Sequence, residues 1–282
     1  MTMSRPDEAE SFRIEQDWPA YSEQEHAIWR LLFERQQRLL AGRACTEYLD
    51  GLAGLGVAAA GIPDFRRLSD ILDRATGWRI VTVPGLVPDD VFFGHLARRR
   101  FPSTRFIRGR DQLDYLQEPD VFHDIYGHVP MLMNPVFADY MQAYGEGGLK
   151  ALRLGHLEHL ARLYWYTVEF GLIATPPGLR IYGSGILSSA GESRYCLDDP
   201  APRRLRFDLQ RVMRTRYHID HYQETYFVID DFRQLFDATR PDFTPLYHQI
   251  EFLSEIEPSG TADGDTPFDP AWSLRGGLGY GP

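Results

Sequence analysis

The sequence is poor in cysteine and has no long apolar run, and each absence excludes a class of protein. Its 282 residues include only two cysteines, Cys45 and Cys196, which lie far apart and outside any CxxC spacing. They indicate neither a disulfide framework nor a thiolate metal site, and we interpret them as reduced thiols. No run approaches the roughly 18 apolar residues of a membrane span, and no apolar segment follows a basic start. We therefore expect a cytoplasmic protein without a signal peptide or membrane partner.

The sequence also lacks an excess of positive charge and a dinucleotide-binding loop. The formal net charge is −10, which argues against a nucleic-acid partner. No G-x-G-x-x-G follows a predicted strand, and strands and helices do not alternate, so a dinucleotide-binding fold is not expected. Arginines do cluster between Arg98 and Arg110. Such a cluster indicates either a solvated face or a site for a carboxylate.

Helical patterns dominate the chain, and strand patterns are few and short. Ser22 and Glu25 form a capping box ahead of an apolar helical repeat. The patterns predict further helices at 46–52, 63–77, 88–96, 119–127, 135–144, 149–171 and 230–238. They predict strands at 78–84, 104–107, 180–182 and 226–229. The predicted fold class is mainly α with a few short β-strands.

The composition suggests one domain with flexible terminal segments. Residues 1–17 are largely polar and aperiodic, and residues 258–282 are rich in Gly, Pro and Asp, so we expect both segments to be flexible. No linker divides residues 18–257, which we therefore expect to form a single catalytic domain.

Two closely spaced histidines suggest a metal site. His123 and His128 lie five residues apart in a segment that ends in Gly127-His128-Val129-Pro130. On a regular α-helix this spacing would separate the side chains by about 140°, so the backbone must deviate if both bind one metal. Gly127 can end the helix and Pro130 prevents its continuation, which would allow His128 to turn back towards His123.

Glu169 is the candidate third ligand, because its carboxylate lies in an apolar stretch where burial is costly without a partner. Two imidazoles and one carboxylate suit iron(II) and also suit catalytic zinc, so the residue types leave the metal open. Each residue taken alone could instead have a structural role. His156 and His159, three residues apart on a predicted helix, form a rival pair that we interpret as a partly exposed helix face.

Three segments together resemble the pterin-dependent aromatic amino acid hydroxylases. Residues 118–130 match the pattern Pro-Asp-x-x-His-x-x-x-Gly-His-Val-Pro. Residues 164–172 match a Tyr-Trp-aromatic-Thr-Val-Glu-Phe-Gly-Leu pattern, and residues 182–192 match a glycine- and serine-rich third motif. The likeness extends from about Trp18 to about Pro245 and is greater to the short bacterial phenylalanine 4-hydroxylases than to the animal enzymes. It implies a catalytic domain of this family without a regulatory domain, and a monomer.

The resemblance also implies the cofactors and the site. It implies iron(II) held by His123, His128 and Glu169 as the catalytic centre, with tetrahydropterin and O2 as cosubstrates. The implied substrate-binding residues are Arg108, Asp120, Pro119, Trp165 and Ser188. The implied pterin-binding residues are Gly85, Leu86, Val87, Phe92 and Asp124. Tyr164 and Glu192 are implied to lie around the pockets.

The expected reaction is hydroxylation of L-phenylalanine to L-tyrosine. The sequence departs from the animal enzymes at Asp124 and Leu116, which affects expected ligand affinity rather than reaction type. Alternatives left open are the same chemistry on tryptophan or at another ring position, a zinc hydrolase, and a non-catalytic metal-binding protein. Val228 lies where family members differ in specificity, and valine favours phenylalanine.

Overall fold

The computed structural model describes residues 12–114 and 118–268. Eleven α-helices lie in this part of the chain: α1 Glu23–Leu40, α2 Thr46–Leu55, α3 Phe65–Thr76, α4 Asp89–Leu96, α5 Pro135–Leu154, α6 Leu157–Tyr164, α7 Ser184–Leu187, α8 Ala190–Asp198, α9 Leu209–Arg214, α10 Phe232–Thr239 and α11 Thr244–Ile250. Short 3₁₀ segments are Trp18–Ala20, Arg110–Gln112 and Val129–Met133, and π-helical segments are His123–His128 and Trp165–Glu169.

Six short strands form two small sheets in the described residues: β1 Arg79–Thr82, β2 Arg100–Ser103, β3 Leu172–Thr175, β4 Gly178–Ile181, β5 Arg203–Arg206 and β6 Thr225–Ile229. Strands β1 and β2 pair in parallel. The second sheet has the order β4-β3-β6-β5, in which only β3 and β4 are antiparallel. The mainly helical fold with few strands is as predicted.

Local signals in the sequence set the ends of the first helices. The Ser22 side chain accepts from the Glu25 backbone N–H, and the Glu25 carboxylate accepts from the Ser22 N–H, so the predicted capping box is confirmed. Helix α3 begins after Asp64, which caps it, and ends at Gly77 in the left-handed conformation. Both ends of α3 are confirmed.

Two predicted elements are wrong. The strand expected at residues 104–107 is absent, and β2 ends at Ser103 because the Thr104 N–H bonds to the Asp124 carboxylate instead of a strand partner. The single helix expected over residues 149–171 is broken at Gly155, which adopts a φ of 77° and ends α5. The sequence pattern also missed β3, β5 and the helices α7, α8, α9 and α11, and it ended the helix that begins at Pro135 ten residues before Leu154.

Aromatic side chains make up much of the core that supports the site. The largest fully buried side chains include Trp29, Trp78, Tyr48, Tyr126, Tyr140, Tyr166, Tyr182, Tyr226, Phe122 and Phe227. Phe122 stacks on Tyr126 with centroids 4.7 Å apart, and Trp29 meets Phe122 edge-on. This packing fixes the segment that carries His123 and His128.

The folded unit extends beyond the expected flexible boundaries. Ile14 N–H donates to the Thr82 carbonyl at 3.0 Å, and Phe268 N–H donates to the Arg204 carbonyl at 2.7 Å. Phe268 is buried in the core. Residues 12–17 and 258–268 therefore belong with residues 18–257, and the rest of both expected segments lies outside the described residues.

Candidate metal centre and adjoining pockets

A π-helical turn brings His123 and His128 onto one face. The Val129 N–H bonds to the Asp124 carbonyl, which closes an i to i+5 turn. In this geometry residues five apart lie above one another, and the two Nε2 atoms are 3.0 Å apart. The backbone deviation expected from the spacing is thus present, but Gly127 does not end the helix. A Cβ on Gly127 would lie 2.9 Å from the Ser184 carbonyl oxygen, so glycine permits the close approach of α7.

A second π-helical turn presents Glu169. The Phe170 N–H bonds to the Trp165 carbonyl at 2.9 Å, again i to i+5, at the point where the chain leaves α6 for β3. Glu169 Oε1 lies 3.1 Å from His128 Nε2, and Glu169 Oε2 lies 3.6 Å from His123 Nε2. Both ligand-bearing segments therefore depart from α-helical geometry in the same way.

Three potential ligand atoms converge here, from His123, His128 and Glu169, all within 4.8 Å of one another. Residues 12–114 and 118–268 contain no other such group of His, Cys, Asp or Glu side chains. The rival pair His156 and His159 has ring centroids 5.7 Å apart, and His156 stacks on Tyr247. No third ligand joins that pair among the residues that the structure describes, and helix packing explains its position.

The tautomer and protonation states of these side chains suit a bound cation. Ser188 Oγ donates to the Ser184 carbonyl, so at 2.9 Å it accepts from His123 Nδ1, which leaves a lone pair on His123 Nε2. Burial lowers the pKa of His123 to about 4, so this imidazole is neutral at pH 7. Burial alone would raise the pKa of Glu169, but the two imidazoles outweigh it and bring the pKa to about 2. An anionic carboxylate and a neutral imidazole thus direct lone pairs into one space, which fits a divalent metal.

Two cavities meet at this centre. One, of about 570 Å³, is lined by the predicted substrate residues Arg108, Pro119, Trp165 and Ser188. The other, of about 230 Å³, is lined by all five predicted pterin residues, Gly85, Leu86, Val87, Phe92 and Asp124. Pro119, His123 and Glu169 line both cavities. A molecule in either cavity would therefore reach the same three-ligand centre.

A buried ion pair stands at one wall of the larger cavity. Arg108 Nε and Nη2 each donate to Asp120 at 2.8 Å, and the Arg108 backbone N–H also donates to it at 2.9 Å. Asp120 in turn accepts from the His123 backbone N–H at 3.0 Å. Burial alone would raise the pKa of Asp120, but Arg108 lowers it below its usual value. Asp120 does not line the cavity and instead joins the arginine to the ligand-bearing turn.

The smaller cavity contains a buried carboxyl group beside the metal ligands. Asp124 Oδ2 accepts from the Thr104 N–H at 2.8 Å and from Thr104 Oγ1 at 3.0 Å. Burial raises the pKa of Asp124 to about 7, although both Thr104 bonds oppose the rise. Phe92 meets Tyr164 edge-on with ring centroids 6.0 Å apart. The exposed side chain of Leu86 lies at the mouth of the cavity.

Residues 219–223, on the loop before β6, also line the larger cavity, and the sequence analysis did not single them out. Phe170 lines it as well and lies one residue after Glu169. Phe170 could have been predicted from its place beside a candidate ligand, whereas the loop offers only the pair His218 and His221, three residues apart. Leu116 lies outside the described residues.

Residues 4–249 match the family described as biopterin-dependent aromatic amino acid hydroxylase. The chain belongs to this family. It is 64% identical over 261 residues to the phenylalanine-4-hydroxylase of Ralstonia nicotianae, covering 93% of this chain and 82% of that protein. It is 61% identical over 256 residues to that of Chromobacterium violaceum, covering 91% and 85%.

The fold also matches solved structures of this family. A crystal structure of phenylalanine hydroxylase from Chromobacterium violaceum with iron and phenylalanine bound has a TM-score of 0.87 to this chain at 58% identity. The match covers 91% of this chain and 94% of that one. A structure of the same protein bound to cobalt has a TM-score of 0.90 at 60% identity, with coverage of 91% and 93%. In the described residues, no helix is both long and apolar enough to cross a membrane.

Proposed function

We propose that this member of the biopterin-dependent hydroxylases is a phenylalanine 4-monooxygenase that converts L-phenylalanine to L-tyrosine with O2, a tetrahydropterin and iron(II). The observation that carries the proposal is the position of the three-ligand centre between two cavities. The larger cavity offers an arginine and aromatic walls, as a carboxylate-bearing aromatic substrate requires. The relatives named for phenylalanine hydroxylation support this choice of substrate.

His123, His128 and Glu169 would hold the metal. A ferrous ion bound there would supply the redox chemistry that lets oxygen react with a pterin and an aromatic ring. Three protein ligands leave coordination positions open, which distinguishes this set from a closed structural site. The Ser188 hydroxyl keeps the His123 proton on Nδ1, so Nε2 would be the atom that binds the ion.

The substrate would bind in the larger cavity with its carboxylate at Arg108. Asp120 accepts from Nε and Nη2 of the guanidinium, so the pair fixes the orientation of Arg108 without using Nη1, which would serve the substrate carboxylate. Pro119 and Trp165 would bound the ring near the metal ligands. Holding the substrate in a fixed orientation lowers the entropic part of the activation barrier, which supplies much of a catalyst's effect.

The pterin would bind in the smaller cavity. Phe92 offers a ring face for stacking, and backbone groups at Gly85, Leu86 and Val87 offer hydrogen bonds to the heterocycle edge. Asp124, fixed by Thr104, lies beside both histidines and would contact the cofactor directly or through water.

We propose a cytoplasmic monomer without a nucleic-acid partner, in keeping with the acidic net charge of −10. A zinc hydrolase with the same ligands is less well supported, because Asp124, the acid beside the first histidine, is held by two Thr104 donors. Size-exclusion chromatography with light scattering would test the monomer, and a mass of two chains would contradict it.

The test of function is product identity. Iron-loaded protein is incubated with a tetrahydropterin and O2, with either phenylalanine or tryptophan, and products are separated by chromatography. Tyrosine that requires both iron and pterin is the expected result. Hydroxytryptophan as the main product would retain the family chemistry and refute the substrate. Absence of any hydroxylated product from iron-loaded protein would refute the proposed function.

A further inference from the structure

The indole of Trp165 is held on three sides. Its ring stacks on Tyr217 at 4.3 Å between centroids with an interplanar angle of 16°, and Phe170 packs against it at 4.7 Å. The third contact is polar: Trp165 Nε1 donates to Gln223 Oε1 at 2.8 Å. Ring contacts alone permit sliding and tilting, whereas a short hydrogen bond to a buried acceptor has one favoured geometry. The Gln223 amide therefore determines how the indole faces the larger cavity.

Gln223 is itself held in place by hydrogen bonds from its side-chain amide and its backbone N–H. It is 5% exposed. Its Nε2 donates to the His218 carbonyl at 3.2 Å and to the His221 carbonyl at 3.4 Å, and its backbone N–H donates to Glu192 Oε1 at 3.2 Å. A buried amide with its donors and its acceptor satisfied is a rigid element.

The carbonyls that Gln223 binds are those of His218 and His221, in an exposed loop of residues 218–222, of which residues 219–222 line the larger cavity. The loop is anchored on both sides. Before it, the Arg216 N–H donates to the Ile256 carbonyl at 2.8 Å. After it, Glu192 accepts from Tyr226 as well as from Gln223. The Gln223 side chain thus joins Trp165, in the wall of the larger cavity, to the backbone of the 218–222 loop.

We propose that Gln223 is a positioning residue that sets the preference of this site for a single six-membered ring, by fixing Trp165 and the 218–222 loop together. This inference rests on the proposed function and specifies which residue limits its substrate. Loss of the amide frees the indole to tilt and the loop to open, which widens the space beside Pro119 and Trp165. Tryptophan, with its bicyclic side chain, then loses less affinity than phenylalanine, because the smaller phenyl ring depends on a closely placed wall.

The first test compares Gln223→Met with the native enzyme, since methionine keeps the length and lacks the amide. Isothermal titration calorimetry on the metal-loaded proteins gives the affinities for phenylalanine and tryptophan. The ratio of these affinities should fall by roughly three- to tenfold, the effect of one or two net hydrogen bonds. Gln142→Met is the matched control, because the Gln142 amide also bonds through both its oxygen and its nitrogen, accepting from Arg99 Nε and donating to the Ala97 carbonyl, outside both cavities. An unchanged ratio in Gln223→Met, or an equal fall in the control, would overturn the inference.

The second test asks whether Gln223 acts through the indole. Trp165→Phe removes the N–H, so adding Gln223→Met in that background should change the affinity ratio much less than it does in the native background. An equal change in both backgrounds would overturn the inference. A ratio of two affinities does not depend on the fraction of protein that folds correctly. Calorimetry also does not require turnover, so a native enzyme without hydroxylated product would count against the proposed function, whereas an unchanged ratio would count against Gln223.

Discussion

Replacement of Asp120 by alanine should destabilise the protein far more than removal of a surface carboxylate that also accepts from an arginine through both of its oxygens. Asp120 is fully buried, its partner Arg108 is 7% exposed, and two of the guanidinium nitrogens donate to the carboxylate. Removing one member of a buried pair leaves the other charge without compensation, which costs about 3–5 kcal/mol. At about 2–4 °C per kcal/mol for a chain of this size, the thermal midpoint should fall by roughly 6–20 °C.

Asp198→Ala is the matched control. Arg43 Nη1 and Nη2 donate to the two Asp198 oxygens at 2.8 Å, so this pair is also bidentate, but the two side chains are 28% and 53% exposed. Exposed pairs contribute about 0–1 kcal/mol, and the midpoint should change by less than about 4 °C. Differential scanning calorimetry of both variants in one buffer gives the comparison.

The same substitution should weaken phenylalanine binding. Without Asp120 the guanidinium of Arg108 loses its fixed orientation, and the turn that carries His123 loses the acceptor for the His123 N–H. We expect KM for phenylalanine to rise by roughly tenfold or more, the effect of about 1.4 kcal/mol of lost positioning. Equal losses of thermal midpoint in Asp120→Ala and Asp198→Ala, or an unchanged KM, would refute the assignment of Asp120 as the residue that orients Arg108.

Three further predictions concern the metal, the substrate and pH. Ser188→Ala removes the acceptor for His123 Nδ1, so iron affinity measured by titration should fall about 10- to 100-fold; unchanged affinity would show that Ser188 does not fix the tautomer. Arg108→Lys keeps the charge and loses the planar fork, so KM for phenylalanine should rise while iron content stays the same; native KM would exclude bidentate recognition. Burial raises the pKa of Glu192 to about 7, above its unfolded value near 4.5, so its protonated form favours folding. Native protein should therefore lose stability relative to Glu192→Gln as pH rises from about 5 to 8, by on the order of 2–4 kcal/mol in denaturant unfolding, and parallel pH profiles would contradict this.

The candidate metal ligands could be predicted because their chemistry is local. A carboxylate among aromatic residues and two histidines beside a glycine and a proline are unusual in sequence, and three motifs in fixed order added a family resemblance. The geometry that joins them could not be predicted in detail. A π-helical turn differs from an α-helix by a single hydrogen-bond step, and residues 123–128 carry no composition that specifies it.

Several of the missed elements depend on distant partners. Strand β2 ends at Ser103 because Thr104 bonds to Asp124, twenty residues along the chain. Strand β5 forms by pairing with β6, although its residues Arg203–Arg206 are mostly charged and have no apolar alternation. Gln223 reaches Trp165 across 58 positions, and no spacing rule connects them. Periodicity reports local preference, whereas these contacts arise only once the chain has folded.

The most direct test of the central claim, that His123, His128 and Glu169 form an iron centre for hydroxylation, is a joint measurement of bound iron and tyrosine formation. Native protein and Glu169→Gln are loaded with graded amounts of iron, and tyrosine formed per tetrahydropterin oxidised is determined for each. The claim predicts that tyrosine formation in native protein rises in proportion to bound iron up to one ion per chain, and that Glu169→Gln gives weak iron binding without tyrosine. Tyrosine formation independent of iron, or near-native coupled turnover in Glu169→Gln, would contradict it.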